Sequence, residues 1–118
     1  MSHPFELGDE TLWDAGYHSG RLYAALAQGA AEFLKVPSGL TPTREGGCEV
    51  NPAAFAAFTA RLYDLYASTH NDVLHRLADG LLVTSLVLAE RAGSAIALRP
   101  EHEASLREEM TALAHSMA

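Results

Sequence analysis

Residues 9–36, DETLWDAGYHSGRLYAALAQGAAEFLKV, carry the longest helical pattern in the chain. Asp9 is a good helix cap, and Pro37-Ser38-Gly39 stops a helix after Val36. The polar positions follow one another mostly at spacings of three or four, and apolar residues fill the other faces. We therefore predict an amphipathic helix over 9–36 with a wide buried side. Its polar positions are Glu10, Asp14, His18, Arg21, Gln28, Glu32 and Lys35, and its apolar positions are Leu12, Trp13, Tyr17, Leu22, Tyr23, Leu26, Phe33 and Leu34.

A second helix begins at Asn51-Pro52, where asparagine caps and proline suits the first helical position. Residues 37–50 contain prolines and glycines that oppose regular structure, so we predict a loop there. The second helix either breaks at Asn71 or Asp72, or continues to Asp79 and ends at Gly80. We favour 51–79, because a helix from Pro52 would then match the 28 residues of the first helix.

Two more helices are predicted over 81–98 and 100–117, the first apolar on nearly all sides and the second starting at Pro100. A chain of 118 residues favours one domain, 1–118. The expected fold class is all-α: an antiparallel helical hairpin extended to a three- or four-helix bundle.

Composition limits the possible partners. The net charge of −7 and the scattered basic residues argue against nucleic-acid binding. No apolar run is long enough for a membrane span, and the N-terminal residues do not resemble a signal peptide. We therefore expect a cytoplasmic protein, with export by a signal-peptide-independent route left open.

No catalytic or metal-binding pattern emerges from the candidate residues. His70 and His75 are five apart and do not share a helix face, and no other histidine has metal-ligand spacing. Cys48 follows two glycines but lacks a cationic neighbour that would activate its thiol. We predict no enzyme activity, no metal and no cofactor. We expect Cys48 to be structural or incidental, with an intermolecular disulfide as the functional alternative.

Small residues inside the first predicted helix are the strongest anomaly. Gly16, Gly20 and Ala24 are spaced by four, and glycine in a helix interior costs about 1 kcal/mol relative to alanine. Either an intramolecular crossing or a partner helix explains them. Aromatic residues nearby would be good anchors for a partner. The candidate interaction residues are Trp13, Gly16, Tyr17, Gly20, Ala24, Phe55 and Phe58.

The order of motifs in the chain resembles that of the small helical proteins of type VII (ESX) secretion systems of actinobacteria. These motifs are Leu7-x-x-Glu10-x-Leu12, a Gly/Cys-bearing loop, Phe55 and Phe58, and Tyr66-x-x-x-His70-Asn71. The secretion proteins are relatives of the WXG-motif hairpins. The resemblance covers about residues 5–93. It implies helical hairpins that pair with partners and are exported or assist export. No tyrosine here begins the Tyr-x-x-x-Asp/Glu signal of the exported members, and Trp13 is not followed by the family's Trp-x-Gly turn.

These observations predict a noncatalytic interaction module that binds itself or another helical protein, as a homo- or heterodimer. The resemblance places it as a type VII secretion substrate or accessory protein. The alternative is a small-ligand or metal-binding helical bundle, with a pocket lined by the apolar segment 81–88 and by Tyr63, Tyr66 and His70.

Overall fold

The chain begins with a β-hairpin, so the prediction of an all-α hairpin or bundle is wrong. The structure, a computed structural model, describes all 118 residues. Four helices pack with one four-stranded mixed sheet of order β2-β1-β4-β3. The elements are β1 Ser2–Leu7, β2 Glu10–Gly16, α1 Tyr17–Leu34, β3 Leu40–Pro42, β4 Cys48–Val50, α2 Pro52–Ser68, α3 Asp72–Arg91 and α4 Pro100–Ser116.

The first hairpin turns at Gly8-Asp9, between the paired residues Leu7 and Glu10. Gly8 has a positive φ of 60°, which suits the first central position of a type II′ turn. Inward-facing residues of both strands build one aromatic layer, in which the rings of Phe5 and Trp13 stack with centroids 5.2 Å apart. The helix predicted over 9–36 is therefore a strand in its first part and a helix only from Tyr17.

The predicted loop 37–50 contains the other two strands. β3 and β4 are antiparallel, and β4 joins β1 in parallel through Phe5 and Cys48. A side chain at Gly47 would place its Cβ 2.2 Å from the carbonyl oxygen of Pro4, so only glycine fits at this strand contact. The sheet therefore brings together two segments separated by the whole of α1.

The second helical region breaks at residues 69–71, the alternative that the matched-length argument disfavoured. The side chain of Asn71 accepts a hydrogen bond from Leu74 N at 3.0 Å and caps α3. The prediction of one helix over 51–79 and another over 81–98 is therefore wrong, because α3 spans both. The starts predicted at Asn51-Pro52 and at Pro100 are confirmed, with Asn51 accepting from Ala54 N at 3.0 Å.

The core lies where α2 and α3 meet the other elements. Its largest fully buried side chains include Phe5, Phe55, Phe58, Leu62, Leu82, Leu88 and Leu106. Helix α1 approaches the sheet closely at Gly20, and its other buried residues are Tyr23, Ala27 and Ala31. A Cβ added to Gly20 would lie 2.6 Å from the Cβ of His3. No helix is both long and apolar enough to cross a membrane.

Arg91, at the end of α3, connects the edge strand to the last helix. Its Nη1 donates to the carbonyl oxygens of Leu12 (2.9 Å) and Met117 (2.5 Å), and its Nη2 donates to that of Ala114 (3.2 Å). These carbonyls lie on β2 and at the end of α4. One guanidinium group therefore holds three segments in register.

Candidate docking groove

A groove of about 520 Å³ runs between α1 and α3 and ends near the last residues of α4. We call it the α1–α3 groove. It is lined mostly by apolar side chains, and Arg76 is its only charged lining residue. The apolar lining residues are Trp13, Leu22, Tyr23, Leu26, Leu77, Leu81, Leu113 and Met117.

The walls of the groove are unusually exposed. Leu22 and Leu26 on α1 are 62% and 50% exposed, and Leu77 on α3 is 74% exposed. Phe33 and Val73, on the same two helices, are 69% and 67% exposed. With 150–250 Å² for a large aromatic side chain as a guide, these five present on the order of 500 Å² of surface to solvent. Contiguous apolar patches of a few hundred Å² typically mark interaction sites.

The exposed residues follow two stripes with helical spacing. The α1 stripe consists of Ser19, Leu22, Leu26, Gly29 and Phe33, with steps of three and four. The α3 stripe consists of Val73, Leu77, Gly80 and Thr84, with steps of four, three and four. This spacing places each set along one side of its helix, as at the seam between packed helices.

Each stripe contains a glycine that has no partner within the chain. A Cβ added at Gly29 or at Gly80 would meet nothing within 4 Å. Each glycine costs about 1 kcal/mol relative to alanine in a helix interior. Gly20 differs, because its packing against His3 explains it. Gly29 and Gly80 therefore leave small depressions, without side chains, along the two stripes.

The phenol at the groove floor, that of Tyr23, is hydrogen-bonded inside the protein. Tyr23 Oη and Ser85 Oγ lie 2.7 Å apart in the interior. Burial raises the pKa of Tyr23 well above its usual range, so the phenol stays protonated. The floor thus offers apolar surface to a ligand and no ionised group.

The candidate interaction residues from the sequence fall in different environments. Trp13 is the one that lines the groove, and it is 8% exposed. Phe55 and Phe58 are completely buried in the core, where no partner can contact them. Gly20 is buried against β1, and Ala24 packs partly against the core. Gly16 ends β2 and precedes α1, where Tyr17 accepts a hydrogen bond from Arg21 Nη1 at 2.9 Å.

The groove residues that the sequence analysis missed are Leu22, Leu26 and Leu77. The first two belonged to the predicted buried side of the first helix, and Leu77 to a helix thought to pair with it. The exposed glycines Gly29 and Gly80 were the available signal. Neither has the spacing of four that directed attention to Gly16 and Gly20.

Cys48 lies next to His3, with its Sγ atom 3.6 Å from His3 Nε2. Burial raises the pKa of the Cys48 thiol, and burial followed by the charge of Arg21 lowers the pKa of His3. Both shifts favour the neutral forms, whereas a nucleophilic cysteine requires the thiolate. The pair therefore packs β1 against β4 rather than activating sulfur.

A second cluster of aromatic and titratable side chains joins α2, α3 and α4. Tyr63 Oη lies 3.1 Å from His102 Nδ1, and the rings of Tyr66 and His75 stack at 3.9 Å. His70 is exposed and outside this cluster. No group of three or more histidine, cysteine, aspartate or glutamate side chains is placed to hold a metal ion.

The chain matches the model of a family of unknown function, DUF6086, over residues 1–118. It belongs to that family. No curated protein and no solved structure matches the chain. The groove, the stripes and the Cys48–His3 pair are therefore features of a DUF6086 chain that must be interpreted from their own geometry.

Glu109 on α4 faces Asp79 on α3, and this contact makes the free energy of unfolding depend on pH. Burial and then the charge of Asp79 raise the pKa of Glu109 above its ordinary 4.5. The folded state then binds more protons than the unfolded state between 4.5 and the raised pKa, so stability falls as pH rises through that window. We expect chemical denaturation to show a gain in stability from about pH 7 to about pH 5.

Asp79→Asn should reduce this gain, because it removes the neighbouring charge that disfavours ionised Glu109. Asp64→Asn, on an exposed face of α2, is the matched control and should keep the wild-type slope. Equal slopes for the two variants would show that the Asp79–Glu109 contact does not affect stability.

Proposed function

We propose that this protein is a noncatalytic docking module that binds a helical partner through the α1–α3 groove. The observation that carries the proposal is the exposure of Leu22, Leu26 and Leu77 at the walls of a mostly apolar groove. Folded chains normally bury such side chains, and an exposed set on two neighbouring helices is typical of an unfilled helix-packing site.

The dimensions of the groove suit a helix. Helix α1 lines the groove from Ser19 to Leu26, and its apolar stripe continues to Phe33, a length of about 21 Å at 1.5 Å per residue. A partner helix would place apolar residues at spacings of three and four against the two stripes, the usual mode of helix-in-groove recognition. Leu81 and Leu113 line the groove and are half-buried, so they supply contact area for its deepest side chains, whereas Trp13 and Met117 are almost fully buried.

The burial and protonation of Tyr23 and Cys48 support a noncatalytic role. Burial holds the Tyr23 phenol and the Cys48 thiol in their neutral forms, and both side chains are enclosed by the core. The net charge of −7 favours partners that are not nucleic acids. Participation in type VII secretion remains a prediction from the sequence resemblance, and the groove proposal does not depend on it.

A two-hybrid screen of genomic fragments from the source organism tests the proposal. The bait is the full chain, compared with Leu26→Glu/Leu77→Glu, which places two carboxylates on the groove walls. Ala57→Glu/Ala104→Glu adds the same charge at exposed positions on α2 and α4 and is the matched control. We expect helical partners that bind the wild type and the control and are lost with the groove variant. Partners that all persist with the groove variant would contradict the proposal.

A further inference from the structure

We infer that the helix bound in the α1–α3 groove is cationic, and that an arginine or lysine on its flank pairs with Asp79 and Glu109. The inference rests on the proposed function and adds the charge of the partner. The two carboxylates lie on α3 and α4, beside the groove and not among the residues that line it. The groove supplies the apolar contact, and the carboxylates supply a charged contact next to it.

Asp79 and Glu109 line a depression of about 410 Å³ between α3 and α4, which we call the acidic depression. It adjoins the groove, because Gly80, Leu113 and Ser116 line both. Around α3, Gly80 lies between the groove and the carboxylate of Asp79, about 60° from one and about 100° from the other at 3.6 residues per turn. An added Cβ at Gly80 would meet nothing within 4 Å, so a long side chain of a bound helix can cross α3 here.

The two carboxylates have no cation of their own in the free protein. Burial and then the charge of Asp79 raise the pKa of Glu109. Burial and then the charges of both carboxylates also raise the pKa of Tyr66. The only ion pair in the chain joins Arg107 to Glu90, so no basic side chain neutralises the acidic depression. A cation from a partner would therefore relieve a repulsion that the free protein carries.

The basic residues nearest the acidic depression do not replace such a cation. Arg76 is exposed, lies one turn before Gly80, and forms no ion pair with Asp79. Its long stem lets the guanidinium group turn toward solvent. His75 has its Nε2 atom 3.0 Å from the carbonyl oxygen of Tyr66. The negative charge therefore stays uncompensated on the side of the groove that faces α4, and the basic residue of the partner belongs on that side.

The charge of the whole chain favours the same kind of partner. Fifteen acidic and eight basic residues give a net charge of −7. Opposite charge attracts at long range, so a cationic helix meets this protein faster than an anionic helix does. Because dissolved ions screen such attraction, binding should weaken as salt is added.

Three synthetic amphipathic peptides of roughly 20 residues, long enough to form helix in water, test the inference. They share a leucine stripe at spacings of three and four and differ only at the flanking positions, which carry arginine, glutamine or glutamate. We expect the arginine peptide to bind the wild type about two- to fivefold more tightly than the glutamine peptide, as exposed ion pairs typically allow. The glutamate peptide should bind most weakly, and added salt should reduce these differences. Fluorescence anisotropy of labelled peptides measures the dissociation constants.

Two charge-matched variants separate a local contact from general attraction to an acidic protein. Asp79→Asn/Glu109→Gln should abolish the preference for the arginine peptide over the glutamine peptide. Asp64→Asn/Glu103→Gln makes the same change in net charge at exposed positions on α2 and α4 and should keep that preference. Circular dichroism confirms that each variant is folded before affinities are compared.

Equal affinity of the wild type for the arginine and glutamine peptides, or the same preference in both variants, overturns the inference and leaves the proposed function intact. Leu22→Gln/Leu26→Gln removes two apolar side chains from the groove without adding charge, and it should weaken all three peptides. Peptides that bind this variant as tightly as the wild type contradict both proposals. If no peptide binds the wild type, the inference falls, and the two-hybrid comparison decides the proposed function separately.

Discussion

Phe58→Ala is expected to lower the free energy of unfolding by about 3–5 kcal/mol, the usual cost of truncating a buried phenylalanine. Phe58 is completely inaccessible to solvent, and its ring lies 6.0 Å from that of Phe55 on the same helix. Removing it leaves a cavity between rigid elements, because the surrounding side chains are also fully buried. Urea denaturation followed by circular dichroism measures the change.

Phe33→Ala removes the same atoms from a surface site and serves as the control. Phe33 is 69% exposed, so the substitution should change the unfolding free energy by only about 0.5 kcal/mol. It should instead weaken the binding of a helical partner along the α1 stripe, as the proposed function expects. Similar losses of stability for the two variants would show that α2 does not form the packed centre described above.

The second large effect is expected for Gly39→Ala, at the turn that leads into β3. Gly39 has a φ of 79°, where an L side chain costs about 1–2 kcal/mol. An added Cβ would also lie 2.5 Å from the backbone nitrogen of Phe55. Overpacking of this kind typically costs about 1–3 kcal/mol. Because backbone atoms cannot rotate away, we expect a total loss of about 3 kcal/mol or more.

Gly46→Ala separates these two contributions. Gly46 has a φ of 95° and no atom within 4 Å of an added Cβ, so it carries the backbone strain without the clash. Its loss should stay near about 1–2 kcal/mol. The hydrogen bond from Asn51 N to Gly39 O, 2.8 Å in the wild type, should show faster amide exchange in Gly39→Ala alone. Equal losses in the two variants would mean that the turn moves away from α2 at little cost.

The helix starts that the sequence predicted correctly have local causes. Asn51-Pro52 and Pro100 act through their own backbone and capping geometry, which no distant residue has to supply. The break at Asn71 also has a local cause, its own capping side chain. Matching the second helix to the 28 residues of the first favours a helix through this position instead. Asn71 caps its helix through the same side-chain hydrogen bond as Asn51, so both helix starts follow from the same local signal.

The strands were missed for two different reasons. Gly8-Asp9 between apolar residues is a hairpin signal, but Asp9 also fits a helix cap. The apolar residues of 10–16 fit both the helical spacing of three or four and the alternation of a strand. The three-residue strands β3 and β4 contain Pro42 and follow glycines, so their pattern favours a loop. β4 exists because Cys48 pairs with Phe5 across 43 positions, a contact that no local pattern encodes.

The groove could not be located from the sequence because α1 is apolar on several sides. Leu22 and Leu26 are more hydrophobic than the buried Tyr23 and Ala27, and only the packing shows which of the four face the interior. The small residue Gly20 determines which side of α1 faces the sheet, because α1 contacts β1 there. The leucines consequently lie on the outer side of the helix, beside α3.

The three carbonyl partners of Arg91 also fix when the groove can exist during synthesis. Arg91 can join the Leu12 carbonyl as soon as α3 has emerged from the ribosome, but the Met117 carbonyl arrives 26 residues later. Met117 and Leu113 are part of the groove floor, and Trp13 beside them follows Leu12 directly. The floor of the groove is therefore complete only when the last turn of α4 has docked against Arg91, so loosening of that turn would open the groove at this end.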